Sequence, residues 1–212
     1  MKVQDLLSET PYLHDGEYEA PEVLKSQTFM SDATLLRDHS PLDYYVVNAE
    51  RIEFFFSKTQ RVVTGVIKKK KEKTKEMSNL VVFSLRFKKE KTIVNYPNGV
   101  DQHKVLQVDS VYTDEDYRGR GISSFVYALL VEKGFIIVSD TSQFDDGKQL
   151  WKKISREAQF NDYVIHIIDD ENGFVKDKSG KIISYDSSNI DDAKIWSSGM
   201  DFRGEHILLM MK

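Results

Sequence analysis

The sequence predicts a mixed α/β (α+β) fold built on one mixed, mostly antiparallel sheet flanked by helices. Three observations predict it. Strand-forming apolar runs crowd residues 51–87. A strand, a glycine loop and a helix follow one another over residues 105–133. Short strands then alternate with a helix and a hairpin signal to residue 211. This mixed order argues for helices packed on one sheet.

The elements follow in chain order. Residues 1–50 read as short helices: Val3–Leu7 before Pro11, Pro21–Phe29 with proline in a first turn, and Ser31–Asp38. From Arg51 the pattern turns to β. Ile52–Phe56 is densely apolar, Val62, Val63, Val66 and Ile67 follow, and Leu80–Phe87 (LVVFSLRF) is rich in strand formers. The lysine run 68–76 most simply joins two antiparallel strands, and Thr92–Tyr96 can extend the β region up to the turn Pro97-Asn98-Gly99.

Val105–Tyr112 is a strand. In Ile122–Lys133 the apolar residues 122, 125, 126, 129 and 130 have helical spacing, and Gly134 caps the end. Phe135–Val138 is a short buried strand ending at Ser139-Asp140. Asp145 or Asp146 can cap a helix reaching about Ala158, with Leu150, Trp151 and Ile154 on one face. Val164–Ile168 is a strand, Lys178-Ser179-Gly180 marks a hairpin, and His206–Met211 is the final strand. The expected organisation is a single domain: a helical part at 1–50, a core at 51–168, and a hairpin with a final strand at 169–212.

The composition bounds the function. The chain has 212 residues and no cysteine, so it has no disulfide framework, Cys nucleophile or thiolate metal site. Its apolar and charged fractions, 40% and 30%, are those of a globular protein. The longest apolar stretch, Phe125–Val131, is far shorter than the ~18 residues of a membrane span. With no apolar leader in Met1–Tyr12, a cytoplasmic location without membrane contact is expected.

The net charge of −4 is unevenly spread. Residues 1–50 carry ten acids and three bases, whereas 68–91 carry ten bases and three acids. A basic stretch from Lys68 to Lys91 can grip a polyanion such as nucleic acid. It can equally keep an exposed hairpin soluble and protect its edge.

The segment Val105–Val131 carries the chemistry. A strand runs into Arg118-Gly119-Arg120-Gly121, and that loop opens a helix. Helix N-termini present unpaired N–H groups and partial positive charge. Glycines admit a phosphate close to the backbone, and two arginines add charge. The combination predicts an anion site, most naturally for a phosphate or pyrophosphate. It is not a Walker A loop, since no lysine follows Gly121. Two glycines fall short of the three in a dinucleotide fingerprint, although Asp140 lies near the position of its acid.

Val111-Tyr112-Thr113-Asp114-Glu115-Asp116-Tyr117-Arg118-Gly119-Arg120-Gly121-Ile122-Ser123 resembles the signature of the GCN5-related N-acetyltransferases. That signature is Arg/Gln-x-x-Gly-x-Gly/Ala after a strand and an aromatic residue. Arg118, Gly121 and Ser123 take its three fixed positions, with serine where glycine or alanine is usual. The resemblance spans about residues 50–168 in element order and is specific over 105–158. It implies a splayed sheet in which strands 105–113 and 135–139 part at their ends. It also implies acetyl-CoA, or a related acyl-CoA, in the opening. The pantetheine would pair with backbone near Val111 and Thr113. The pyrophosphate would rest on Arg118, Gly119, Arg120, Gly121, Ile122 and Ser123. The acceptor would enter opposite, past the N-terminal part and the 68–91 region.

Acyl transfer to an amine needs a base for the ammonium and a proton for the leaving thiolate. Members of the family often use an acid on the central strand. Asp109 lies nine residues before the motif arginine and in phase with Val111 and Thr113. Asp140, ending the next strand, could help hold an ammonium group, or could form an Asx-turn. The family usually has a tyrosine acid in the following helix, and Trp151 stands there. Indole cannot supply the proton: either Tyr112, Ser139 or water protonates the thiolate, or transfer is not to a simple amine, or catalysis is lost. The stretch Ser139-Asp140-x-x-Gln143-x-x-x-Gly147-x-x-Leu150-Trp151 is similar to a divergent branch of the family common among tailed-phage proteins, within a neighbourhood that includes nucleobase-modifying enzymes.

The five histidines are scattered without metal-ligand spacing, so no metal is expected. The expected function is acyl-CoA-dependent transfer to a small-molecule, protein or nucleic-acid acceptor. A nucleobase-modifying enzyme and a non-catalytic interaction protein on the same fold remain alternatives.

Overall fold

The computed structural model describes residues 29–71, 76–89, 96–140, 145–158, 161–169, 172–188 and 207–212. They form a mixed α+β fold, with three α-helices and a mostly antiparallel open sheet of ten strands. The helices expected at Val3–Leu7 and Pro21–Phe29 fall wholly or mainly outside the described residues, as does most of Thr92–Tyr96.

The described residues make two compact units. One holds the residues up to Phe87 together with Asp109–Phe125, and the other holds Lys88–Val108 with the residues from Val126 onward. One strand and one helix run from each unit into the other.

In the first unit, β1 (Phe29–Met30) pairs with Asn79 and Leu80, and α1 (Asp32–Asp38) follows. Ser31 caps α1, its hydroxyl accepting from Thr34 N–H at 3.1 Å. Then come β2 (Ser40–Val47), β3 (Glu50–Ser57), β4 (Val62–Lys70) and β5 (Met77–Phe87), joined as antiparallel neighbours. The sheet continues to β6 (Val105–Thr113). Of the lysine run expected to connect two strands, Lys68–Lys70 lie within β4 and pair with Met77–Asn79 of its antiparallel neighbour, while residues 72–75 fall outside the described residues.

The reading of residues 1–50 as helical needs correction. Ser40–Val47 is a strand, tied to β3 by a two-residue turn at Asn48-Ala49. Both turn residues have positive φ, 51° and 64°, the I′ pattern that matches strand twist.

The sheet of this unit is covered on both faces. On one, Phe54 and Phe83 meet edge to face at 5.8 Å, and Phe125 packs on Phe54. On the other, Leu35 of α1 joins Phe55, Val66 and Val81, with Met30 and Tyr112 against them. Opposite the Gly65–Val66 step the register shifts, so β5 carries Val82 as an extra residue. The Val82 carbonyl accepts from Asp114 N–H at 2.9 Å, tying the end of β6 to β5.

In the second unit the strands follow the order β6, β7 (Ile136–Val138), β10 (Ile207–Met211), β8 (Ile165–Asp169) and β9 (Gly173–Phe174). Val105–Gln107 and Ile136–Val138 are parallel, whereas β10 is antiparallel to both β7 and β8. Helix α2 (Ile122–Glu132) ends as the sequence predicts. Gly134 sits at φ 84°, its N–H donates to Val131 O, and Phe135 N–H donates to Leu130 O, a Schellman cap. Helix α3 (Asp145–Ala158) buries Leu150, Trp151 and Ile154, the face expected from spacing. The turn at Asp177–Gly180 closes through Gly180 N–H to Asp177 O.

Candidate functional site

β6 leads directly into the glycine loop. Asp114 caps a single 3₁₀ turn, Glu115–Tyr117, through its side chain and Asp116 N–H. Arg118 then folds back, its Nε donating to Thr113 O at 3.0 Å. Gly119 and Gly121 both have positive φ, 70° and 79°, while Arg120 between them does not. Such alternation of backbone hand turns successive N–H groups toward one concave side, an anion-binding arrangement. Both positions require glycine for the same reason.

The helix opens at once. Phe125 N–H makes the first i→i−4 bond of α2, to Gly121 O at 3.0 Å. Geometry therefore gives the N–H groups of Ile122, Ser123 and Ser124 no intrahelical acceptor. In this first turn the Ser124 hydroxyl is buried with no partner among the described residues. A buried unpaired hydroxyl costs stability unless something completes it. The alternating loop and the open helix start fit an anionic group such as a phosphate.

Three residues that sequence reasoning missed brace this loop from the β2–β3 hairpin and α2. The Tyr45 hydroxyl donates to Arg120 O at 3.3 Å, and its ring stacks on Phe125 at 4.7 Å. The Tyr117 hydroxyl donates to Glu50 Oε2 at 2.5 Å. Burial first, and then this bond to a carboxylate, push the Tyr117 phenol far above its ordinary value, so it stays protonated and donating. Alternation puts Tyr45 opposite Ile52, on the face of Glu50, Ile52 and Phe54.

The chain matches no known family model, curated protein or solved structure.

The first unit thus brings together Asp109, Val111, Thr113 and the loop residues Arg118, Gly119, Arg120, Gly121, Ile122 and Ser123. Asp109 is exposed, while Val111 and Thr113, in phase with it, are buried. Asp140 belongs to the second unit, and its carboxylate meets Lys88 Nζ at 2.5 Å, with both side chains about four-fifths buried. The ammonium on Asp140 is therefore the chain's own. Lys88 is held further by its N–H to Gln107 O at 2.9 Å.

Trp151, and the two side chains named as proton sources in its place, are also engaged. Trp151 is buried edge-on against Tyr127 at 5.7 Å. Ser139 Oγ accepts from Leu209 N–H at 3.0 Å. Tyr112 lies on the α1 side of β6, where burial raises its pKa.

The basic stretch is partly engaged as well. Lys68 Nζ contacts Asp32 Oδ1 at 2.5 Å, and Lys71 Nζ lies over the Phe29 ring, 5.6 Å from its centre. Lys69 and Lys70 are exposed. Among the described residues, no group of three or more acidic or histidine side chains could hold a metal, and no helix is long and apolar enough to cross a membrane.

Proposed function

We propose that the chain transfers an acyl group from acyl-CoA, most simply acetyl-CoA, to an acceptor amine. The observation that carries this reading is the Gly119–Gly121 loop of alternating hand, set between β6 and the first turn of α2. In this reading the coenzyme supplies the thioester. The loop amides and the first turn of α2 hold its pyrophosphate, and exposed Arg120 adds positive charge. The backbone of β6 near Val111 and Thr113 orients the pantetheine. Support comes from the ladder of β6 and β7, which pairs three residues of each strand and reaches Gln107, while β6 runs on to Thr113.

Asp109 is the base. Its exposed carboxylate takes the ammonium proton, directly or through water, and the freed amine attacks the thioester carbonyl. The attacking nitrogen sheds its extra proton to water as the carbon–sulfur bond breaks, and the thiolate takes a proton from water, since Ser139 and Tyr112 are engaged elsewhere and the indole of Trp151 has none to give. Asp140, bound to Lys88, has no part in the step.

Native mass spectrometry of the purified protein, followed by calorimetry with acetyl-CoA, tests the reading. Retained or added coenzyme in the parent, and none in Gly121→Trp, is the expected result. The new side chain would strain a backbone at positive φ and fill the anion cradle. A folded Gly121→Trp variant with the parent's affinity overturns the site.

A further inference from the structure

The β2–β3 hairpin does more than extend the sheet. Its Tyr45 hydroxyl holds the carbonyl of Arg120. That carbonyl and the N–H of Gly121 belong to one planar trans peptide unit, so they point in opposite directions. Fixing the carbonyl fixes where the Gly121 N–H aims. A second tie, from Tyr117 to Glu50, holds the turn just before the loop to the first residue of β3. The two ties flank the alternating pair Gly119 and Gly121, and the stack of Tyr45 on Phe125 adds the first turn of α2 to the same brace.

We infer that Tyr45, Tyr117 and Glu50 are positioning residues that aim the loop amides at the pyrophosphate. This deepens the acyl-CoA reading and rests on it. A bare glycine loop would have to be ordered when the anion arrives, and that ordering would weaken binding. The hairpin does the ordering in advance. The Asn48-Ala49 turn, with both residues at positive φ, sets the strand register that presents Tyr45 and Glu50 on one face.

The test is the double variant Tyr45→Phe/Tyr117→Phe, which removes two hydroxyls and keeps both rings, hence the stack on Phe125. Calorimetry with coenzyme A and with inorganic pyrophosphate should show affinity about 5- to 20-fold weaker for both, the scale of one to two lost hydrogen bonds. Backbone order parameters of residues 119–122 should fall from a rigid ~0.85 toward ~0.6, while those of α3 stay unchanged. A merely structural role would lower the melting temperature and leave the loop as ordered as the rest. Unchanged order parameters, or unchanged affinity for both probes, overturn the inference and leave the acyl-CoA reading standing. A parent that binds pyrophosphate but not coenzyme A overturns the acyl-CoA reading alone, and the loss of pyrophosphate affinity then decides the brace. A parent that binds neither overturns both.

Discussion

Gly65 lies in β4 where the sheet has no room for a side chain. A methyl group built there would meet Phe54 Cε1 at 2.8 Å and Phe83 Cβ at 2.9 Å. Carbon atoms prefer ~3.5–4.0 Å, so each contact would be short by roughly 0.6 Å or more. Neither neighbour can retreat easily. Phe54 and Phe83 are fully buried, pack edge to face, and Phe54 also bears Phe125. Overpacking of this kind costs about 1–3 kcal/mol. Alanine in a strand interior regains about 0.5–1 kcal/mol by restricting the unfolded chain, so the net loss for Gly65→Ala centres on about 1 kcal/mol. For a chain of this size, that lowers the melting temperature by about 2–4 °C. Scanning calorimetry measures it. The companion variant Phe54→Leu, combined with Gly65→Ala, should lose less than the two losses added together, because the leucine yields the space the methyl needs. A Gly65→Ala protein as stable as the parent, or strict additivity in the pair, would refute the packing argument.

Other outcomes follow from the same contacts. Ala49→Gly should raise stability by about 0.5–1 kcal/mol, because alanine sits at φ 64° and glycine does not resist that conformation; denaturant melts check it. Asp109→Asn should lower turnover by about 10²–10⁴ while leaving calorimetric coenzyme affinity near the parent's, and normal turnover would remove it as the base. His166 is half-buried, and burial first and then the charge of Lys212 hold its pKa below the ordinary 6.5. Above that value the ring is neutral in both states. Below it the unfolded chain takes up a proton that the folded ring resists, so stability should fall as pH drops through 6.5 and toward the lower folded value. His166→Phe should flatten that part of the stability–pH curve.

Most of the core elements were legible in the sequence because local pattern and tertiary demand agree. Leu80–Phe87 is apolar but for Ser84 and Arg86, and the structure buries all of it except the half-exposed Arg86. Helix α2 carries its own spacing and its own glycine stop. The hairpin β2–β3 was not legible. Its turn is Asn-Ala, not Asn-Gly, and the acidic, proline-bearing residues ahead of it read as short helices. The alternation of Tyr45 and Val47 was the available signal, too brief to outweigh that context. For the site, the glycines were legible because only glycine takes positive φ freely. The braces on the loop were not, since Tyr45 is 75 residues from Arg120 and no local rule pairs them. Asp140 was visible as a strand-end acid, but its partner Lys88 was hidden among the bases of a charged stretch.

The two units are interlaced along the chain. Residues 88–108 of one interrupt the other, which is resumed at 109–125 before the first is taken up again. No single cut of the polypeptide can therefore part the two units with both intact. During synthesis the first unit is complete only once residue 125 has emerged, by which point residues 88–108 of the second are already out. A split-protein reporter or a truncation placed anywhere from residue 88 to residue 125 would leave both units incomplete in each fragment.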